Sequence, residues 1–174
     1  MLSKIQPGKN TPEDINVFIE ISAYGPPIKY EVDKLSGLLT VDRIMPTTMQ
    51  YPCNYGFVPQ TLSEDKDPLD VLVITPAPLQ PSVIINCRPV GMLKMRDESG
   101  TDIKIIAVPT FNLTSLYNDV SDLCDLPTLL LKQIEHFFQH YKDLDSNKWV
   151  KIEGFENVQK AKKNIEDCVK RFNS

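Results

Sequence analysis

Residues 63–76, with the sequence SEDKDPLDVLVITP, place three carboxylates directly before an apolar run. Asp65, Asp67 and Asp70 lie within six positions, and residues 71–74 are all aliphatic. A short apolar run that ends near prolines is typical of a strand buried in a core. Because like charges this close repel, three ionised carboxylates at the mouth of such a strand favour a cation between them. The stretch therefore predicts a core strand that serves as a rigid base for a metal site.

The segments on either side of this stretch alternate apolar and polar residues with the period of half-buried strands. Strands are predicted over residues 15–22, 28–32, 38–45, 69–76, 88–95 and 101–109. Gly37 and Gly100 mark two of the turns between them, since glycine tolerates a positive φ.

After Pro109 the apolar period changes to that of helices. A first helix is predicted within residues 126–144, with Asp125 as its N-cap and Pro127 in its first turn. Its apolar stripe contains Leu129, Leu130, Ile134, Phe137, Phe138 and Tyr141. A second helix is predicted from about Asn157. Several strands followed by helices predict an α+β fold, with a small closed barrel and flanking helices, the main ones C-terminal.

The bulk composition is that of an ordinary globular domain, and we expect one domain over residues 1–174. Hydrophobic residues make up 41% of the chain and charged residues 24%. The net charge of −4 argues against a nucleic-acid-binding surface. We expect neither a signal peptide nor a membrane span, because the sequence contains no apolar run long enough. Without an export signal, the four cysteines are predicted to be reduced thiols in a cytoplasmic protein.

Charged residues interrupt the predicted strands where a plain core would have apolar side chains. Asp102 and Lys104 share one strand face, as do Lys29 and Glu31, while Asp97 and Asp102 flank a turn and could approach one another. The whole set is Glu20, Lys29, Glu31, Arg43, Asp65, Asp67, Asp70, Asp97, Asp102 and Lys104. A barrel mouth lined in this way would be acidic with a cationic rim. Such a pocket suits Mg²⁺, which prefers carboxylate oxygens, together with phosphate groups, which lysine and arginine would neutralise.

Plainer interpretations of the three carboxylates, as turn formers or as a calcium loop, are less favoured than a metal site. A single aspartate before a strand often only forms a turn, but three so close together favour a site. A calcium loop of the EF-hand type is excluded, because Leu69, Asp70 and Pro76 stand at its fifth, sixth and closing positions.

Two further patterns, a histidine pair and a tyrosine pair, can each be explained by packing as well as by a functional site. His136 and His140 have the spacing of a zinc-binding helix, but Phe137 replaces the glutamate that such a motif needs. Packing or a subunit contact is therefore favoured for this helix, and Phe137 and Phe138 are expected to add an exposed aromatic pair to the contact. Tyr51 and Tyr55 are equally well explained as core residues and as phosphate donors.

At this point the residues resemble a known family, the soluble family I inorganic pyrophosphatases of the bacterial type. The matching segments are PIKYEVDK, VDRIMPTTMQYPCNYGFVPQTL, DKDPLDVLV, CRPVGMLKMRDESGTDIKIIAVP, HFFQHYKDL and KWVKIEGFEN. The family signature is Asp-x-Asp-Pro-hydrophobic-Asp, which residues 65–70 satisfy. The resemblance covers nearly the whole chain, and it implies a five-stranded OB-like barrel assembled into a homohexamer, with the His136–His140 helix at a subunit contact.

The resemblance also implies a reaction and a role for each site residue. Pyrophosphate would be hydrolysed to two phosphates by a Mg²⁺-activated bridging water, with Asp67 as general base. The activating ions would be held by Asp65, Asp70 and Asp102. Further Mg²⁺ that arrives with the substrate would involve Glu20, Glu31 and Asp97. The phosphates would be bound by Lys29, Arg43, Tyr55, Lys104, Tyr141 and Lys142, with Tyr51 nearby.

The sequence departs from the family pattern at two positions. Lys66 stands where the family usually has a small or acidic residue, and Pro26 stands in a loop where an acidic or small polar residue is expected.

Two other functions are rivals to pyrophosphate hydrolysis. Barrels of this kind also bind single-stranded nucleic acid, but that needs a basic groove rather than an acidic one. A metal-dependent phosphatase acting on organic phosphates is the closer rival.

Overall fold

Eight strands and two α-helices make up most of the chain between residues 4 and 174, which are the residues that this computed structural model describes. Residues 1–3 of the predicted domain lie outside the described part. The strands are β1 (Ile15–Ile21), β2 (Ile28–Val32), β3 (Leu39–Ile44), β4 (Asn54–Val58), β5 (Leu69–Val73), β6 (Ile84–Asp97), β7 (Gly100–Pro109) and β8 (Val150–Glu156). The helices are α1 (Thr128–His140) and α2 (Val158–Phe172), and a 3₁₀ turn spans Leu123–Asp125.

Five of the strands close into a ring. Their order is β1-β4-β5-β7-β6, and β6 pairs back onto β1. Only β5 and β7 run parallel within this ring; its other neighbours are antiparallel. β8 adds to the free edge of β6, whereas β2 and β3 form a separate hairpin. The predicted α+β fold with a small five-stranded OB-like barrel is therefore confirmed.

The apolar run of β5 is continuous because both of its faces are buried. Leu72 belongs to a cluster that contains Phe137 and Phe138 of α1. Val71 and Val73 point the other way, into a cluster that contains Ile165 of α2. A strand covered on both faces has no solvent-facing positions that need polar residues. The two helices thus support the same strand from opposite sides, and Asp70 at its start is held on a rigid base.

Two strands were not predicted, and several predicted bounds were too long or too short. β4 lies in the segment that we treated only as a tyrosine cluster, and β8 was not recognised. β6 begins at Ile84 rather than at residue 88, and β5 ends at Val73 rather than at residue 76. Asn54, in β4, is fully buried and its amide donates to the backbone of Val73 at 3.2 Å, so a buried polar residue concealed the strand pattern.

The start of α1 was wrong in detail. Asp125 does not cap α1: its carboxylate accepts from the backbone of Ser121 and Asp122, and it completes the capping box of the 3₁₀ turn. Pro127 occupies the N-cap position of α1 and provides no side-chain hydrogen bond. Leu129 is exposed rather than on the buried stripe.

The predicted exposed aromatic pair was also wrong. Phe137 and Phe138 are 2% and 1% exposed, because they fill the core beneath α1. No helix within residues 4–174 is long and apolar enough to cross a membrane.

Candidate active site

A large cavity opens between the barrel, the β2–β3 hairpin and the segment that follows α1. Its volume is about 940 Å³. Every predicted site residue lines it: Glu20, Lys29, Glu31, Arg43, Tyr55, Asp65, Asp67, Asp70, Asp97, Asp102, Lys104, Tyr141 and Lys142. These residues come from β1, the β2–β3 hairpin, β4, the loop before β5, β5 itself, the β6–β7 hairpin and the two positions after α1, so the fold unites positions that are far apart in sequence.

Lys104 lies at the centre of the acidic part of the cavity. Asp70 of β5 and Lys104 of β7 are partners in the parallel register, and Asp102 lies two residues earlier on the same face of β7. The Lys104 ammonium donates to Asp70 Oδ2 at 2.6 Å and lies 2.8 Å from Asp102 Oδ1. It also donates to the Tyr55 hydroxyl at 3.2 Å. Two carboxylates thus share one buried cation.

The charges around Lys104 keep it protonated in spite of its burial. The residue is only 4% exposed, and burial by itself would lower its pKa. The charges of Asp102 and Asp70 outweigh burial and hold the pKa of Lys104 well above its usual range. The cavity therefore contains a fixed positive charge at the place where its carboxylates converge.

A second buried ammonium group, that of Lys142, contacts the β6–β7 hairpin. Lys142 donates to Asp97 Oδ2 at 2.7 Å and to Glu98 Oε1 at 3.2 Å. Asp97 pairs with Gly100 across the hairpin, while Asp102 pairs with Met95. Asp97 and Asp102 both line the cavity, and each of them contacts its own lysine.

The β2–β3 hairpin provides the cationic wall. Lys29 forms an ion pair with Glu31 and lies 3.6 Å from Asp42, and it faces Arg43 in the hairpin register. The Arg43 Nε is buried without a hydrogen-bond partner; its nearest carboxylate oxygen, on Asp42, is 3.9 Å away. At the tip of the hairpin, Lys34 donates to Asp67 Oδ1 at 3.0 Å. A buried arginine N–H group that has no hydrogen-bond partner is well suited to donate to an anionic ligand.

The loop before β5 forms a turn rather than an extended segment. The backbone of Ser63 donates to Asp67 O at 2.8 Å, that of Lys66 donates to Ser63 O at 3.1 Å, and Lys66 has a φ of 72°. Asp65 Oδ1 accepts from the backbone of Asp67 at 3.0 Å. Burial raises the pKa of Asp65, and the nearby charges of Asp102 and Asp70 raise it further. The turn therefore presents Asp65 to the same region as the two β-strand aspartates.

Glu20 is a buried carboxyl group of the cavity whose pKa is strongly raised. It is 6% exposed and accepts a hydrogen bond from the backbone of Val32 at 2.8 Å. Burial raises its pKa to about 8, and the charge of Asp70 adds to the shift. A buried carboxyl beside other carboxylates is strongly stabilised in its ionised form only when positive charge arrives.

The two tyrosines are core residues that also reach the cavity, and their role as phosphate donors stays a prediction. Tyr51 and Tyr55 are buried in the core cluster, with ring centroids 5.1 Å apart, and both also line the cavity. Tyr141 is the C-cap of α1 and stacks on Phe137.

Sequence reasoning missed several polar residues of the cavity wall. Lys34, Asp42, Glu98 and Lys148 all line it. Asp42 and Glu98 immediately adjoin the predicted Arg43 and Asp97, and this adjacency was the available signal. Lys34 and Lys148 lie beside loops, where the strand pattern carries no information.

The residues present fit a divalent cation, although the site is not preassembled for one. Within residues 4–174, no three carboxylate, imidazole or thiolate side chains are already grouped around a point that could hold a metal ion. The reason is visible in the contacts: the Lys104 ammonium occupies the position between Asp70 and Asp102. A cation already stabilises this position, and the donor atoms are the hard carboxylate oxygens that Mg²⁺ prefers.

An acidic cavity that suits divalent cations, with a lysine and arginine rim that suits phosphate groups, favours a hydrolytic enzyme that acts on phosphate compounds. Comparison with known proteins gives the particular family. The sequence profile described as inorganic pyrophosphatase matches residues 17–173. The inorganic pyrophosphatase of Escherichia coli strain K12 is 58% identical over 164 residues, which are 94% of this chain and 93% of that protein.

Solved structures agree with the sequence match. An inorganic pyrophosphatase of Coxiella burnetii has a TM-score of 0.94 at 52% identity, covering 97% of this chain and 99% of that one. The inorganic pyrophosphatase of Helicobacter pylori has a TM-score of 0.93 at 44% identity, covering 98% of this chain and 99% of that one. The chain belongs to the inorganic pyrophosphatase family, in its bacterial family I branch.

Proposed function

We propose that this enzyme hydrolyses inorganic pyrophosphate to two phosphates with the help of several Mg²⁺ ions. The observation that carries the proposal is the cavity in which Asp65, Asp70 and Asp102 meet a wall of lysines and an arginine. Carboxylates match divalent cations, and the cationic wall matches a small polyanion. Family membership supports the substrate.

Asp65, Asp70 and Asp102 would hold the activating ions, while Glu20, Glu31 and Asp97 would help to hold those that enter with the substrate. Bound Mg²⁺ supplies Lewis-acid polarisation of phosphate oxygens and a lower pKa for water. For Asp70 and Asp102 this assignment requires the Lys104 ammonium to move from its present contacts of 2.6 and 2.8 Å. The displaced ammonium is then available for a phosphate oxygen.

Asp67 would act as the general base. Its side chain is 65% exposed and lies on the cavity wall, so water reaches it directly. In the reaction, a water oxygen forms a bond to one phosphorus while the bond from that phosphorus to the bridging oxygen breaks. Asp67 accepts a proton from the attacking water, and the second phosphate leaves with the electron pair. The contact of Asp67 with Lys34 is between exposed groups and is easily exchanged.

The phosphates would be held by Lys29, Arg43, Tyr55, Lys104, Tyr141 and Lys142. Arg43 can offer its guanidinium in a bidentate way, and its unpartnered Nε supports that role. Arg43 and Lys142 are the strongest candidates to neutralise charge on the leaving phosphate.

Phosphate release from pyrophosphate and from ATP, each with Mg²⁺ and with excess EDTA, tests the proposal. We expect rapid release from pyrophosphate that requires Mg²⁺ and much slower release from ATP. Full activity in EDTA would exclude the metal assignment. Equal activity on ATP would favour the rival function, a phosphatase of organic phosphates.

We also propose a cytoplasmic location and assembly into a homohexamer, with no nucleic acid or membrane as partner. A second cavity of about 500 Å³ supports the subunit contact, because it lies beside α1 and is lined by exposed Leu129 and His136 together with Tyr24 and Met49. The acidic main cavity is unsuited to a nucleic-acid backbone.

A further inference from the structure

The last turn of α2 holds the loop that carries Asp65 and Asp67. The Arg171 guanidinium donates from Nη1 to the carbonyl of Leu62 at 2.5 Å. In the same place, the backbone N–H of Leu62 donates to Cys168 O at 3.0 Å. The Ser63 hydroxyl lies 3.7 Å from the Cys168 thiol. Both backbone groups of Leu62 are thus bound to α2, three residues before Asp65.

The other end of the loop is fixed to the barrel. The Thr61 hydroxyl donates to Val58 O at 2.6 Å, and it accepts from the backbone of Leu69 at 2.9 Å. Between these anchors, hydrogen bonds among residues 63–67 maintain the shape of the turn. The turn is also tied to the β2–β3 hairpin by Lys34, which donates to Asp67, but both of these side chains are exposed and such a pair contributes little. The contacts with α2 at residues 62 and 63 are therefore the firmer restraint on where the turn lies relative to the cavity.

The turn brings two carboxylates to a cavity that already contains Asp70 and Asp102. Like charges that share a cavity repel when no added cation lies between them, and this favours displacement of the turn. The hydrogen bond from Arg171 to Leu62 opposes such a displacement from a different element than those that carry the cavity cations.

We infer that Arg171 is a positioning residue, which holds the loop of residues 62–67 so that Asp65 and Asp67 stay at the cavity before and during catalysis. The inference rests on the roles proposed above for those two aspartates. Arg171 itself does not line the cavity, so it acts through the backbone of Leu62 rather than on the substrate. Its position in the last turn of α2 is also favourable for a cation, because the helix dipole is negative there.

Arg88 provides a matched control. Its guanidinium also binds backbone carbonyls, those of Tyr117 and Val120, and it lies over the ring of Phe111 at 4.3 Å. Arg88 holds the loop that follows β7, and neither it nor these three partners line the cavity. Arg88→Ala removes a comparable restraint, so it measures the cost of loosening a loop without moving the proposed aspartates.

Hydrogen exchange followed by mass spectrometry compares wild type, Arg171→Ala, Arg171→Lys and Arg88→Ala, all as full-length enzyme. Binding of Mn²⁺, followed by the electron paramagnetic resonance of the free ion, is measured on the same samples, as are kcat and KM for pyrophosphate. We expect Arg171→Ala to speed exchange about tenfold in residues 60–70 alone, since one charge-assisted hydrogen bond is lost. Mn²⁺ affinity and kcat should each fall about threefold to tenfold, with KM nearly unchanged.

The controls separate positioning from general stability. Arg88→Ala should speed exchange only near residues 110–122, with Mn²⁺ binding and kcat as in wild type. Arg171→Lys, which retains a donor and the charge, should restore most of the Mn²⁺ affinity, and it replaces the alanine variant if that one does not fold. Unchanged exchange in residues 60–70, or equal Mn²⁺ affinities for all variants, would overturn the inference. Wild type that fails to hydrolyse pyrophosphate would instead refute the proposed function, while the exchange and Mn²⁺ results would still decide on Arg171.

Discussion

Lysine ammonium groups contact carboxylates throughout the cavity. These lysines differ in exposure, so their ion pairs differ in how much they contribute to stability. The side chains of Lys104 and Lys142 are 5% and 7% exposed, whereas that of Lys34 is 75% exposed. An exposed pair contributes little, while a buried pair that loses one partner leaves an uncompensated charge. The buried lysines thus act as internal counter-ions for aspartates that would otherwise need a metal.

Replacement of Lys104 by methionine should make the stability of the fold depend on divalent cations. Lys104→Met leaves Asp70 and Asp102 buried together without their shared cation. We expect the free energy of unfolding in EDTA to fall by about 3–5 kcal/mol, and Mg²⁺ to restore much of it. Urea unfolding with and without Mg²⁺ measures both values.

Lys163→Met is the matched control, because Lys163 pairs with Asp167 on the exposed surface of α2. Its loss should leave the free energy of unfolding close to the wild-type value, with no response to Mg²⁺. A Lys104→Met protein as stable in EDTA as wild type would show that the aspartates do not need a counter-ion.

Lys66 illustrates how a local conformation escapes sequence analysis. If residues 65–67 were extended, Lys66 would point away from its two neighbours. Its φ of 72° instead places it in the left-handed region, within a turn closed by Ser63 and Asp67. The side chain is nevertheless exposed, so its charge reaches water.

At the scale of elements, β1 and β4 can pair only because Gly56 has no side chain. A Cβ at Gly56 would lie 1.9 Å from the carbonyl oxygen of Phe18, which is backbone and cannot turn aside. We expect Gly56→Ala to lower the free energy of unfolding by about 3 kcal/mol or more. Thermal unfolding of Gly56→Ala and Gly25→Ala compares the two sites.

In Gly25→Ala the new Cβ would meet Ser22 O at 3.2 Å, a contact that a shift of a few tenths of an ångström relieves. Its melting temperature should therefore be much closer to that of wild type. Similar losses at both positions would contradict the argument from strand pairing.

The capping box of the 3₁₀ turn before α1 should make the stability of the fold depend on pH. Backbone N–H groups of Ser121 and Asp122, with the Ser121 hydroxyl, lower the pKa of Asp125 below its usual value. A carboxyl whose folded pKa is lowered stabilises the fold above its unfolded pKa, and the contribution disappears as the pH falls through the folded value. Asp125→Asn should therefore lower the melting temperature at neutral pH by a few degrees, with the difference closing below about pH 4.

Asp119→Asn is the control for this charge, since Asp119 is exposed in the preceding loop. It should leave the melting temperature unchanged at every pH. A deficit of Asp125→Asn that persists undiminished in acid would mean that the ionised carboxylate is not what stabilises the turn.

Much of the fold could be predicted, because alternation in β1, β2, β3 and β7 and the apolar stripe of α1 are local signals. β4 was missed because buried Asn54 and Gly56 interrupt its pattern, and each is explained only by another strand. The edge strand β8 was missed because its alternation covers only four residues, 150–153, before it is interrupted by Gly154, which has a φ of 123°.

The members of the candidate site came mainly from the family resemblance and its aspartate signature. Their present contacts could not be predicted, because one long lysine side chain can reach several carboxylates. The choice between Asp70, Asp97 and Asp102 as partners of Lys104 depends on the strand register.

At the scale of the whole molecule, a single domain over residues 1–174 remains a prediction.

The assembly of subunits has to be explained without the aromatic pair, since Phe137 and Phe138 are buried within the protomer. What α1 offers to a second subunit is Leu129 and His136, at the rim of the smaller cavity. A charge placed at Leu129 should therefore weaken a contact there.

Sedimentation velocity of wild type, Leu129→Asp and Leu144→Asp tests this surface. We expect wild type to sediment as a hexamer and Leu129→Asp as smaller species. Leu144 is similarly exposed but does not line the smaller cavity, so Leu144→Asp should behave as wild type. A monomeric wild type would show that the assembly proposal is wrong, and a hexameric Leu129→Asp would place the contact elsewhere.

The most direct test of the account is the rate of phosphate release from pyrophosphate at saturating Mg²⁺ for wild type and Asp67→Asn. The substitution removes the proton acceptor while it nearly keeps the shape of a side chain that lies on the cavity wall. The account predicts a rate lower by about 10² to 10⁴, with the Mg²⁺ concentration for half-maximal rate within about threefold of wild type. Equal rates for the two enzymes would contradict the assignment of Asp67 as the base and, with it, the proposed mechanism of this cavity.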